Sequence, residues 1–143
     1  MTLPPEKIAD LHIKYLEMLQ STIARISSYN ATLKNFCITL TIAICGFAVT
    51  IRKPGIILLT LLPIAVLAVL DAHYLRTERQ FRVLYDAARL QDWTDMPSFD
   101  MNISKMPPGN FWSAFFSWSV CSFYFALAAG VIAVAVIVWR YHV

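Results

Sequence analysis

Charge is scarce in this chain and missing altogether over long stretches. Of its 143 residues, 15% are charged and 58% apolar, and the mean hydropathy is +0.58. Soluble domains average about 25% charged and about 45–50% apolar residues, so this composition points to a membrane protein rather than a soluble globule. Glycine is also sparse, at four residues, and no Gly-rich phosphate loop can be drawn. The three cysteines, Cys37, Cys45 and Cys121, sit inside apolar runs with no CxxC, which reads as small apolar packing residues rather than metal or redox chemistry. His12, His73 and His142 are dispersed, and there is no HExxH and no nucleophile elbow. No enzyme, no cofactor and no metal site are therefore expected. The first thirty residues mix acids and bases without an early apolar core, so no signal peptide is expected.

What is present is helical pattern. Residues 4–33 read as one helix opened by Pro4 and Pro5. Ile8, Leu11, Tyr15, Met18/Leu19, Thr22, Ile26, Tyr29 and Leu33 recur at spacings of three and four, a stripe suited to a partner helix. Packing on its own chain and packing in a homo-oligomeric bundle both fit. Asn35 to Ile51 is uncharged for seventeen residues, bounded by Lys34 and Arg52-Lys53. That is the lower limit for a spanning helix, which flanking cations extend by snorkelling. Lys53-Pro54-Gly55 marks a tight turn, and Pro54 to Leu70 is a second uncharged run of seventeen, with Pro63 inside it as an expected bend point. The two runs predict a transmembrane hairpin.

Nothing in the sequence stops the second helix at the membrane edge. Residues 71–92 continue it into a charged segment, followed by a loop over 93–110 that holds Pro97, Pro107, Pro108 and Gly109. At 100° per residue, Tyr74, Thr77, Phe81, Leu84, Tyr85 and Ala88 form a face expected to bury. Asp71, Glu78, Arg82, Asp86 and Arg89 form another, with Glu78–Arg82 and Arg82–Asp86 spaced to pair along the surface. Arg76 and Arg79 lie beside that stripe. Two readings stay open for the arginines: a solvated helix with juxtamembrane cations near anionic lipid, or a cluster that grips a phosphate-bearing signal or an acidic protein. Asp71 ends the apolar run as a rim residue, and His73, two positions on, points away from it.

Phe111 to Trp139 is uncharged for twenty-nine residues, about 43 Å as a helix, more than the ~30 Å hydrocarbon core requires. It opens on FWSAFFSW, where Phe111, Phe115 and Trp118 share one helical face, and Trp112, Phe116 and Phe123 another. An interfacial aromatic belt and an aromatic constriction in an oligomeric pore both explain these rings. Further along, Ala126, Gly130 and Val134, with Ala129 and Ala133, give the small-xxx-small spacing that lets helices approach closely.

Orientation follows from the cations. With three spans, the N-terminal segment and the 71–110 connection share a side that carries nine Lys/Arg; the other side carries Arg52, Lys53 and Arg140. The positive-inside rule then places the N-terminus in the cytoplasm and the C-terminus outside.

The run LDAHYLRTERQFRVLYD, at 70–86, follows a proline-containing membrane helix and an amphipathic N-terminal helix. Through Leu70, Asp71, Ala72, Tyr74, Leu75, Arg76, Glu78, Arg79, Phe81, Arg82, Leu84, Tyr85 and Asp86, and best over 15–90, the chain resembles small membrane effectors of bacterial antiphage defence, of the Hailong type. The resemblance implies an oligomeric, ion-conducting effector in the bacterial inner membrane. It would be paired with a nucleotidyltransferase, restrained by that enzyme's nucleotide or oligonucleotide product, and depolarising when released.

The expectation is thus an all-α membrane protein: a cytoplasmic amphipathic helix over 1–33, a transmembrane hairpin over 34–70, a cytoplasmic helix and loop over 71–110, and a third transmembrane helix with a short outer tail over 111–143. Oligomerised in the lipid bilayer, it would form a regulated pore. Arg76, Arg79, Arg82 and Arg89 would hold the signal or partner; Phe111, Trp112, Phe115, Phe116 and Trp118 would line a gate; Asp71 and Pro63 would couple the two. A non-conducting adaptor that recruits a soluble partner through the same helices is the alternative.

Overall fold

Between Pro5 and Gly46 the sequence has no proline or glycine, so nothing breaks a helix once Pro4 and Pro5 have started it. In the computed structural model, which describes residues 4–51, 53–107 and 109–142 without the side chains of Pro54, Tyr141 and His142, helix α1 runs unbroken over Pro5–Thr50. Its 46 residues make a rod about 69 Å long. This corrects the expected division at residue 33: the amphipathic segment and the first span are one helix. Arg52 and Pro108, assigned from sequence to the outer turn and the loop, lie outside the described residues.

Along α1 the buried residues Tyr15, Ile26, Cys37 and Ala48 recur every eleven positions, a period of about 3.67 residues per turn that keeps one side turned to the rest of the protein. The predicted stripe holds at Tyr15, Leu19 and Ile26, whereas Met18 and Tyr29 are exposed.

After the turn, α2 spans Pro54–Leu59 and α3 spans Leu61–Arg89. The break at Thr60 is the work of Pro63, which has no N–H to offer the Leu59 carbonyl and whose ring crowds it. Thr60 N–H donates instead to the Ile57 carbonyl at 3.1 Å, a tighter turn. Pro63 therefore separates two helices three residues before itself, rather than bending a single one. The same side of the chain carries Ile57, Ile64, Asp71 and Glu78 at intervals of seven, all buried.

A loop with a 3₁₀ turn at Ile103–Lys105 leads to α4, Phe111–Phe115, and to α5, Trp118–His142. The third apolar run is thus broken at Phe116–Ser117. The face-sharing expected of Phe115 with Trp118, and of Phe116 with Phe123, does not carry across this break. Among the described residues there is no strand, and α1, the α2–α3 pair and α5 each contain a stretch long and apolar enough to cross a membrane. The chain is an all-α protein with three such helices.

Two cores hold it together. In the spans, Cys37, Ala48, Ile57, Ile64, Ala68, Val120, Tyr124, Val131 and Ala135 pack as one cluster. In the arm that α1 and α3 form beyond the spans, Tyr15 and Leu19 pack on Leu84 and Ala88. The loop straps this second core: Met101, Ile103 and Met106 cover it. The strap is fastened by His12 Nε2, 2.8 Å from the Asp95 carbonyl, and by the Tyr15 hydroxyl, which donates to the Asp100 carbonyl. His12 also stacks on Trp93, and Phe99, whose φ of 49° is unusual for a bulky residue, meets Tyr15 edge-on.

Candidate functional site

Where the apolar part of α3 ends, its buried line changes from Ile57 and Ile64 to Asp71 and Glu78. A carboxylate cannot be buried alone without a large desolvation cost, so each must find a partner. Asp71 is 1% exposed, and its Oδ2 lies 3.6 Å from the Lys34 ammonium of α1. Lys34 donates to Ser119 Oγ of α5 at 2.8 Å and sits 5.7 Å from the centre of the Phe123 ring. One ammonium thus ties three helices together. Two turns further along α3, Glu78, 6% exposed, accepts from Arg82 Nε and Nη2 at 3.0 and 2.7 Å and from Asn30 Nδ2 at 3.4 Å.

Between these two pairs lies a cavity of about 340 Å³, walled by Ser27, Asn30, Lys34, Asp71, Glu78 and Ser119 together with Ala31, Leu75 and Val120. Its polar walls and its volume, several times the ~30 Å³ that a water takes up in the liquid, suit a group of waters at the membrane end of the arm. Within it Asn30 Oδ1 and Asp71 Oδ2 have no hydrogen-bond donor.

The sequence-assigned arginines do not converge on one point. Arg82 is held by Glu78, and Arg89 sits 3.8 Å from Asp86 on the surface. The expected Arg82–Asp86 pair is not formed. Arg79 Nη1 donates to Ser113 Oγ of α4 at 3.4 Å, and the stem of Arg76 packs beside Gly109, just ahead of α4. Arg82 instead borders a groove of about 510 Å³ between α1 and α3, with Gln20, Ile23, Ala24, Ser27, Tyr85 and Asp86.

The gate candidates gather around α4. Phe111 contacts His73, at 5.0 Å between ring centres, and packs with Trp112 and Phe115, while Trp112, Phe116 and Trp118 are exposed. His73 and Asp71 face different neighbours, as their spacing predicted. Asp71 itself is a buried partner of Lys34 rather than a bare rim residue.

Lys34, Asn30 and the burial of Glu78 escaped the sequence reading. In the sequence Lys34 marks the edge of a span, and Glu78 belongs to a surface stripe. The seven-residue line through Ile57, Ile64, Asp71 and Glu78 is the signal that exposes both acids as inward-facing.

In the spans, Ala126, Gly130 and Val134 are exposed and line a groove of about 260 Å³ with Thr41, Ile42 and Cys45 of α1. A Cβ added at Gly130 meets nothing within 4 Å. Among the described residues no group of three His, Cys, Asp or Glu side chains is placed to hold a metal ion. No protein-family model matches this chain, nor does any curated protein or solved structure.

Proposed function

We propose that this chain is the protomer of a homo-oligomeric membrane pore governed from its cytoplasmic arm, an effector whose opening depolarises the bacterial inner membrane. The observation that carries the reading is the uncovered groove of small residues between α1 and α5. Small residues in a membrane helix let another helix approach closely, and Ala126, Gly130 and Val134 border an open groove beside α1 in which a Cβ at Gly130 meets nothing within 4 Å. A single protomer of three spanning helices encloses no pathway, so conduction requires assembly. Phe111 and Phe115 of α4 are the gate candidates of that assembly.

Control from the arm rests on helix continuity. α1 and α3 both leave the membrane unbroken, and the Lys34–Asp71 contact joins them where they do. The groove beside Arg82 is the docking place proposed for a phosphate-bearing signal or for the soluble partner that makes it. The cation distribution supports a cytoplasmic N-terminus and an outer C-terminus, and the resemblance supplies the setting of antiphage defence with a nucleotidyltransferase partner.

The test is ion flux from liposomes that hold the purified full chain, with cross-linking to count subunits. Flux that requires the oligomer supports the proposal. A correctly assembled oligomer that carries no current, with or without partner and nucleotide, overturns it. That second outcome favours a membrane adaptor, a reading to which exposed apolar residues on the arm, such as Leu90 and Val83, also lend themselves.

A further inference from the structure

We infer that the notch between α3 and α4 is a binding site for the phosphate of an anionic phospholipid headgroup, with Arg76 and Arg79 as the cationic groups and Trp112, Phe116 and Trp118 as interfacial anchors. Depth is the first constraint. Lys34 bridges Asp71 of α3 and Ser119 of α5, so both helices stand at the membrane rim there. Arg76 and Arg79 follow Asp71 by five and eight residues, about 7.5 and 12 Å along the helix. The headgroup layer on each side of the hydrocarbon core is about 5–8 Å thick. Arg76 therefore lies at that layer. The guanidinium of Arg79 is drawn to Ser113 of α4, five residues before α5 begins, which brings its charge back to the same layer.

The second line is charge. Among the described residues neither Arg76 nor Arg79 has a carboxylate within ion-pair distance, whereas Lys34, Arg82, Arg89 and Lys105 each do. Asp71 and Glu78 face α1 and α5, away from this notch. Arg76 Nε is buried with no hydrogen-bond acceptor. Two guanidiniums without a carboxylate, one of them with a buried N–H that lacks an acceptor, suit a phosphate, which accepts paired N–H bonds.

The third line is apolar exposure. Trp112 on α4, Phe116 at its end and Trp118 at the start of α5 are 61, 67 and 85% exposed. Tryptophan and other aromatic side chains favour this depth, where the ring meets acyl chain and the edge meets headgroup. Inorganic phosphate or pyrophosphate has no use for three open aromatic rings; a lipid does.

The full chain in vesicles of phosphatidylcholine containing either brominated phosphatidylglycerol or brominated phosphatidylcholine tests this through quenching of tryptophan fluorescence. Phosphatidylglycerol should be preferred about fivefold for each arginine, and the preference should shrink in 1 M salt. In Arg76→Gln/Arg79→Gln it should fall towards equality, and in Arg76→Lys/Arg79→Lys most of it should remain. Equal quenching by the two lipids in the natural protein overturns the inference, and that result needs no variant to fold. So does an unchanged preference in the Gln variant. Inorganic pyrophosphate that binds in phosphatidylcholine vesicles, and does so through the two arginines, would make this a site for soluble phosphate and overturn the lipid. None of these readings depends on whether the assembly conducts.

Discussion

Lys34 and Asp71 meet 3.6 Å apart at the point where α1 and α3 pass from the spans into the arm. Residues 37 positions apart in sequence, one preceding an uncharged run and the other following one, are thereby placed face to face. Removing either partner strands the other. Asp71→Leu or Lys34→Met should lower stability in detergent by about 3–5 kcal/mol, whereas Lys34→Met/Asp71→Leu should recover much of the loss. A thermal-unfolding double-mutant cycle measures this. Additive losses would show that the two side chains do not interact.

The Gly130 position separates folding from assembly. A side chain there meets nothing inside the protomer, so Gly130→Leu should leave the monomer's helicity and melting unchanged while shifting the cross-linked oligomer to monomer and abolishing flux. An oligomer that survives this substitution would place the subunit contact elsewhere.

The loop that straps the arm should be sensitive to both extremes of pH. Asp100 is held below the usual carboxylate range, first by the hydrogen bond from Lys105 and then by the Asn102 N–H, while the same bond raises Lys105. A depressed carboxylate stabilises above its unfolded value, about 3.9, and that contribution is lost as pH falls through the folded value. Raised groups act in the opposite sense. Lys105 stabilises below about 10.4 and fails as pH rises through its folded value, and burial likewise keeps the Tyr15 phenol neutral beyond its ordinary range. The stability difference between the natural protein and Lys105→Met should therefore hold constant between about pH 5 and 9 and shrink outside that window. A difference that changes near neutrality would contradict this account.

Tyr15 fastens the strap in two ways. Tyr15→Phe removes the bond to the Asp100 carbonyl and should cost about 1 kcal/mol. Tyr15→Ala also empties the arm core around Leu19, Leu84 and Ala88, and should cost about 3–5 kcal/mol. Hydrogen exchange across 93–106 should rise in both, and more in the second. Equal protection in all three proteins would mean that the loop is held elsewhere.

Much of this architecture was legible from hydropathy. The three uncharged runs are the three spans, and the absence of a breaker after Leu70 foretold that α3 continues. The continuity of α1 was not legible, because Lys34 looks like a boundary when charge alone is counted. Its stem runs along the helix bundle and its ammonium is absorbed by Asp71, Ser119 and Phe123, partners that only the fold supplies. The inward turn of Glu78 was hidden for a related reason. It shares a helical sector with Asp86 and Arg89, but Asn30 of α1 lies against Glu78, whereas Asp86 and Arg89 pair on the surface. The break at Phe116–Ser117 has no proline or glycine to announce it. α4 follows the face of α3 through His73 and Arg79, while α5 must turn into the spans, so tertiary packing sets the joint.

The length of α1 has a mechanical meaning. Clasped at Lys34 by Asp71 and Ser119, a rod about 69 Å long is divided unequally, with about 44 Å of helix before that point and about 24 Å beyond it. A tilt of about 5° around the clasp would move the arm tip about 4 Å and the span tip about 2 Å. As a lever α1 is geared down: a movement of the arm reaches the far end of the span at about half its size.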